Sequence, residues 1–426
     1  MAAILYILFV LLAFLGAPLF SVLGAFAVSA FKSAGISLEA VPIEMWRLAD
    51  APALSAIPLF TFAGYLLAES NAPMRLVRFY KACLGFVPGG IAVASVILSA
   101  FFTVCTGASG VTIIALGGLL FPILLKEGYD ERFSLGLVTT GGGLGVLGFM
   151  LIPSLPLILY GIIGSVSVDR LIYAGFLPSM LILLIISLYA MVVGRGIERE
   201  EARFDIREVW KGFLDAAWEL AIPVVIFVGL VSGIATVSEV AVIVVIYALL
   251  VEALIKKEID IRGLVRITMD SMQVVGGILL VLASAIAVTG YLIDQRVPMR
   301  LFELVSPHIT NKYLFLVILN LFLLIVGCMM DIFSAIVVVA PMIIPIATAF
   351  GVDPVHLGVI FLANLEIGYS TPPVGLNLFL ASYRFKRPIG EVYIASIPYL
   401  CLLLFALILI TYLPFLSLFL PGRLAH

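Results

Sequence analysis

Charge is scarce in this sequence. Asp, Glu, Lys and Arg together make up 12% of its 426 residues, against about 25% in a soluble domain, so a sizeable water-exposed domain is excluded. The few charges nearly cancel, 24 basic against 26 acidic, and no basic surplus is left to meet a nucleic-acid backbone. Cysteine is rare too. Cys83, Cys105, Cys328 and Cys401 stand singly in apolar or near-apolar stretches without a CxxC pair, which points to small packing residues and away from disulfides or a metal cluster. The three histidines, His308, His356 and His426, have no paired histidine, cysteine or carboxylate cluster, which argues against a transition-metal site. The apolar run 2–31 lacks a basic leader and a convincing cleavage site, so it reads as a retained membrane helix rather than a signal peptide.

What is there is apolar: 63% of the chain. A helix spans the hydrocarbon with about 20 apolar residues, and every backbone polar group must be satisfied inside lipid. Spans are predicted at 2–31, 51–70, 171–194, 213–236, 238–255, 270–293 and 391–420. Three longer stretches fit no simple span. Residues 82–125 are uncharged; residues 313–352 carry one charge, Asp331; residues 134–168 are uncharged but broken by Gly141, Gly142, Gly143, Gly145, Gly148, Pro153 and Pro156. Small or polar residues lie near the middle of the first two (Thr106–Gly110 and Gly327–Ser334), where the tip of a re-entrant hairpin would fall. Each could also be two full spans; the hairpin is the preferred reading.

With the N-terminus inside, 17 Lys and Arg fall in cytoplasmic segments and 7 outside, the bias that orients membrane helices. Residues Arg195–Lys211, of mixed charge, read as an amphipathic cytoplasmic connector. An internal repeat supports two halves. Ala56-Ile-Pro58, Phe62 and Gly64 recur as Ala221-Ile-Pro223, Phe227 and Gly229; Pro122, Gly128 and Asp130 recur as Pro345, Gly351 and Asp353. In the predicted topology the helix of Pro58 runs inward and that of Pro223 outward, so the copies are inverted. The expected fold is an all-α polytopic membrane protein of two inverted repeats, each with a re-entrant helical hairpin and a broken transmembrane helix, an architecture of secondary transporters. The first half is 1–194, with hairpin 82–125 and broken helix 134–168. The connector is 195–212. The second half is 213–426, with hairpin 313–352, broken helix 354–383 and final helix 391–420.

In such folds, carbonyls freed at helix breaks hold a hard cation, and half-helix N-termini face the anionic group of a substrate. The candidates are Ser109 and Gly148–Pro153 in the first half, and Gly327–Ser334 and Gly368–Gly375 in the second. Glycine permits unwinding and proline removes a donor, although Gly/Pro breaks also occur as plain kinks. Two carboxylates are expected at depth. Glu366 reads either as protonated, hydrogen-bonded glue or as a coupling group; Asp331 reads as either a helix cap or a functional group. Glu239, in Thr236-Val-Ser-Glu239, reads as part of a turn and cap.

The segments Thr106–Pro122 with Gly128-Tyr-Asp130, Ile152–Gly161, Gly233–Glu239, Met330–Ala335 and, most specifically, Asn364-Leu-Glu-Ile-Gly-Tyr-Ser-Thr-Pro-Pro-Val-Gly-Leu-Asn-Leu-Phe379 resemble the large membrane (M) subunit of tripartite ATP-independent periplasmic (TRAP) transporters, over essentially the whole chain. The resemblance implies an elevator-type, sodium-coupled importer of an organic acid in the inner membrane of a bacterium or archaeon, with the N-terminus cytoplasmic and the C-terminus periplasmic. It also implies a periplasmic substrate-binding protein and a small Q membrane subunit as partners. Sodium would be held by Ser109, Gly148, Leu151 and Pro153 in one site, and by Gly327, Gly368, Thr371 and Pro372 in the other. The substrate would lie near Gly107, Ser109, Thr371 and Asn377. The first tip departs from the family, reading Gly107-Ala-Ser-Gly110 where Gly-Ser-Ser-Val is common, and the break has Ile152-Pro153 where two prolines are usual. The rival functions are a stand-alone sodium–carboxylate symporter, an intramembrane serine protease built on Gly107-Ala-Ser-Gly110 with His356, and a purely structural scaffold. The expected chain is not an enzyme.

Overall fold

The structure is a computed structural model that describes residues 12, 17–50, 54–106, 109–145, 154–197, 205–232, 234–297, 299–300, 303, 309, 311–330, 332–372 and 375–424. Gly107, Gly148, Leu151, Pro153 and Asp331 lie outside the described residues. Every regular element among the described residues is helical. Seven of these helices are long and apolar enough to cross a membrane.

The first helices are α1 (Leu19–Ser33), α2 (Ala40–Trp46), α3 (Ala56–Glu69) and α4 (Ala72–Leu84). The uncharged stretch that follows is α5 (Gly90–Thr106), then Ser109–Thr112, a π turn at Ile113–Gly117 and Gly118–Lys126, together called α6. Next come α7 (Glu131–Gly141), α8 (Leu155–Gly164) and the long α9 (Val168–Gly194). The order then recurs. After α10 (Ile206–Val231), α11 (Val237–Leu249) and α12 (Ile261–Asp294), paired helices α13 (Lys312–Met329) and α14 (Ile332–Ala349) precede a helix in two pieces, α15 (Pro354–Tyr369) and α16 (Leu376–Phe385), and a long α17 (Ile389–Tyr412). Two paired helices, a divided helix and a long helix thus appear twice, as the repeat requires.

The repeated residues explain why. Gly128 and Gly351 both take a left-handed turn, with φ of 85° and 77°, which glycine adopts without strain. Two residues later Asp130 caps α7 by accepting from the N–H groups of Arg132 and Phe133. Asp353 caps α15 by accepting from those of Val355 and His356. Glu239 forms a capping box with Thr236 at the start of α11, the turn-and-cap role read from its sequence. Several boundaries differ from the sequence reading: the final helix, expected to run to 420, ends at Tyr412 and is followed by two short helices, Phe415–Leu418 and Pro421–Leu424. Asp205 caps α10 through Arg207 N–H, so the last part of the 195–212 connector is already helix. Asp260 caps α12, which starts nine residues before its expected span at 270. The helices α13 and α14 each have 18 residues, or roughly 27 Å, long enough by length alone for either a hairpin arm or a span.

The helices pack as two groups. One joins α1, α2, α3, α4, α10, α11 and α12, with α1 on α12, α3 on α11 and α4 on α10. The other joins α5 to α9 with α13 to α17, through α13 on α15, α7 on α17, α8 on α14 and α5 on α9. The main seams between them are α3 and α4 against α5, α12 against α14, and α3 against α8, and the Tyr173 hydroxyl of α9 donates to the Leu230 carbonyl of α10 at 3.3 Å. Large apolar side chains such as Val224, Phe227, Leu321 and Ile325 remain on the outside, where lipid replaces a protein partner. Burial goes the other way in α15: every residue from Val355 to Tyr369 is buried, so this helix runs through protein on all sides.

Candidate functional site

The divided helix α15–α16 is the centre of the second group. Its Gly368 meets Gly327 of α13 backbone against backbone. A Cβ on Gly368 would stand 2.7 Å from the Gly327 Cα and carbonyl carbon, and one on Gly327 would stand 2.7 Å from the Leu365 carbonyl oxygen. Two of the residues expected to share an ion site are therefore in direct contact. Tyr369 reaches the other side of the α13–α14 pair, where its hydroxyl accepts from the Ile332 N–H.

Beyond Gly368 the helix ends in a tight turn. Ser370 and Thr371 donate their N–H groups to Ile367 and Gly368 carbonyls, at 3.0 and 2.9 Å. The Thr371 hydroxyl donates to the Ile367 carbonyl at 2.7 Å, so its oxygen keeps lone pairs for another partner. The carbonyl oxygens of Tyr369 and Thr371 converge: each lies 2.8 Å from the point where a Cβ on Gly375 would sit. Only glycine leaves that space open. Hydroxyl and carbonyl oxygens gathered at a helix break are the donor set of a hard monovalent cation, and Gly368, Thr371 and Pro372 all belong to this turn.

The first half meets this break through α6. The Ser109 hydroxyl donates to Asn377 Oδ1 at 2.9 Å, and Asn377 Nδ2 donates to Glu366 Oε1 at 3.1 Å. All three are buried. Ser109 and Asn377, 268 residues apart in the sequence, are thus neighbours. Beside them, Thr103 donates to the Gly142 carbonyl at 2.6 Å, and Gly143 lies against the Glu366 side chain with no room for a Cβ. Glu366 also borders a cavity of about 20 Å³ with Thr140, Gly143 and Ser370, room for a single water.

The sequence reading missed a second buried charge cluster. Arg75 on α4 pairs with Glu219 of α10 at 2.7 Å, with Glu252 beyond α11 at 3.0 Å, and with Glu258. Glu219 and Glu252 sit inside two of the apolar stretches that sequence reading treated as plain spans. That was the available signal, since a carboxylate at depth needs a partner.

The family comparison decides what this arrangement belongs to. Residues 5–416 match the model of the tripartite ATP-independent periplasmic transporter, DctM component. The chain belongs to that family. Among curated relatives, the C4-dicarboxylate TRAP transporter large permease protein DctM of Pseudomonas aeruginosa is 32% identical over 91% of this chain and 90% of the relative. The isethionate TRAP transporter permease protein DctMQ of Oleidesulfovibrio alaskensis is 29% identical, covering 97% of this chain and 65% of that protein. Among solved structures, the YdaH transporter of Alcanivorax borkumensis aligns with a TM-score of 0.62 over 96% of this chain and 97% of that one, at 14% identity, a likeness of fold. As a TRAP large permease the chain is a multi-pass transport subunit and not an enzyme, so Gly107-Ala-Ser-Gly110 is not a protease signature.

Proposed function

We propose that this subunit carries an organic acid across the inner membrane by sodium symport. In this reading a periplasmic binding protein delivers the substrate and a small Q membrane subunit stands beside the first helix group. The observation that carries the proposal is the meeting of Ser109 with Asn377 and Glu366 at the break of α15–α16. An anionic substrate at that place faces the N-terminus of α16, which favours negative charge. It also faces the buried Glu366 carboxylate, which repels it. A cation bound at Ser109 and at the Gly327–Gly368–Thr371–Pro372 turn would offset that repulsion, which is the physical reason to couple substrate to sodium. The group of α5–α9 and α13–α17 would move against the other as an elevator, with the N-terminus cytoplasmic as the basic residues suggest.

Relatives named for C4-dicarboxylate and for isethionate support a small organic acid. The name DctMQ, on a protein of which this chain covers 65%, supports a Q partner. Reconstitution tests the proposal. Uptake of a candidate acid into proteoliposomes should need an inward sodium gradient, the binding protein and the Q subunit together. Uptake by this chain alone would overturn the three-part reading, and uptake indifferent to sodium would overturn the symport.

A further inference from the structure

We infer that Glu366 is a positioning residue for the ion site at Ser109, acting through the Asn377 amide; the inference rests on the sodium reading above. Glu366 Oε1 serves as an acceptor here. The Asn377 amide must therefore turn its NH2 toward Glu366, which it does, with Nδ2 3.1 Å from Oε1. The amide is rigid and planar, so its oxygen is then committed to the opposite side. There it takes the Ser109 proton at 2.9 Å. With that proton spent, the hydroxyl can turn only lone pairs to whatever else it meets.

The consequence is a choice of ligand. A hydroxyl showing lone pairs binds a cation; one showing its proton binds a carboxylate. Remove the acceptor at position 366 and the amide is free to turn over. Nδ2 would then donate to Ser109 Oγ, and Ser109 would present its proton instead. Packing holds the arrangement in place. Asn377 is fully buried, and a Cβ at Gly143 would stand 2.3 Å from Glu366 Oε1, so a bare glycine surface fixes the carboxylate from behind. Glu366 is thus neither mere glue nor itself the ion's ligand: it sets the polarity of the Ser109 hydroxyl.

Thermal unfolding of the purified full-length chain tests this, in NaCl titrations balanced with choline chloride. The variants are Glu366→Met, which keeps length without an acceptor, and Glu366→Gln, whose amide oxygen can still accept from Asn377. The wild type should be stabilised by NaCl and not by choline, and Ser109→Ala should weaken that response. Glu366→Met should raise the NaCl concentration for half the effect on the order of tenfold, the scale of one buried hydrogen bond. Glu366→Gln should stay within about threefold, since the bond to Asn377 survives. Asn377→Leu, which breaks the relay at its middle, should match Glu366→Met and serves if that variant does not fold. An unchanged sodium response in the folded Met or Leu variant overturns the inference. So does a Gln variant as impaired as Met, because charge would then matter and orientation would not. A wild type indifferent to NaCl overturns the sodium reading itself, and this inference with it.

Discussion

Gly327 and Gly368 touch through their backbones, and neither chain can move aside for a methyl group. A Cβ on Gly368 would also lie 2.9 Å from the Cys328 nitrogen, so Gly368→Ala forces α13 and α15 apart. The expected cost is about 2–4 kcal/mol, at the upper end of overpacking penalties because only backbone can yield. Gly276 on α12 is the control: nothing lies within 4 Å of its added Cβ, so Gly276→Ala should be neutral or slightly stabilising, by up to about 1 kcal/mol. Melting curves in detergent would check both. Arg75 is the second critical residue. Its guanidinium answers Glu219 and Glu252, both fully buried, along with Glu258. Arg75→Met would leave those carboxylates without their cation, and breaking a buried pair from one side costs about 3–5 kcal/mol. Little folded protein should then be recovered after extraction. Glu258 gives the cluster a pH dependence. Burial opposes its charge, but the Asn71 N–H and the Arg75 guanidinium outweigh burial and hold its carboxyl below the usual range. A depressed carboxylate stabilises the fold above its unfolded value of about 4.3, and that contribution is lost as pH falls through the lower folded value. Stability should drop on acidification below about pH 4.3, and Glu258→Gln should flatten that part of the profile.

Helix ends are where the repeat becomes physical. Asp130 and Asp353 do the same work one residue ahead of α7 and α15, and loss of such a cap costs about 1 kcal/mol. Asp130→Ala and Asp353→Ala should lower the melting temperature by similar amounts, and the double variant by their sum, since the sites are independent. Unequal losses would mean that the two turns are not equivalent. These elements are legible in the sequence only as a repeat, Gly128 and Asp130 recurring as Gly351 and Asp353; the left-handed turn and the cap they make emerge from the structure. The start of α10 at Ile206 is not legible in the sequence. Charges such as Arg207 and Glu208 look like a solvated connector, while the cap at Asp205 makes them the exposed first turns of a long helix. The Arg75 cluster was out of reach in detail, because its bonds join residues 144 to 187 positions apart. No local pattern announces a partner at that distance. Ser109 and Asn377 are farther apart still. They were placed together only through the family resemblance, and their link through Glu366 emerges only from side-chain geometry.

At the scale of the whole molecule, the ion pairs sort by helix group. Arg75, Arg78 and Arg266 pair within the group of α1–α4 and α10–α12, and Arg387 pairs with Glu131 within the other. Among the described residues, Lys81–Glu127 is the ion pair that crosses between the groups, from α4 to the end of α6. The other seams are mainly apolar helix faces, which could slide past one another without stranding a charge. One group moving against the other as a body would have to break Lys81–Glu127 in every cycle. Both residues are partly exposed, so the rupture costs about 0.2–1 kcal/mol, small enough for a contact made and released repeatedly. Losing the pair by Lys81→Ala should therefore leave folding intact and uptake nearly unchanged. Tying the two positions together should not. With Cys83 replaced, the pair Lys81→Cys and Glu127→Cys joined by a short thiol-reactive spacer should stop uptake in proteoliposomes, and a reductant-cleavable spacer should restore it on reduction. Full uptake in the cross-linked protein would mean that the two groups do not separate at this seam, and the moving boundary would then have to run elsewhere, along α3–α8 or α12–α14.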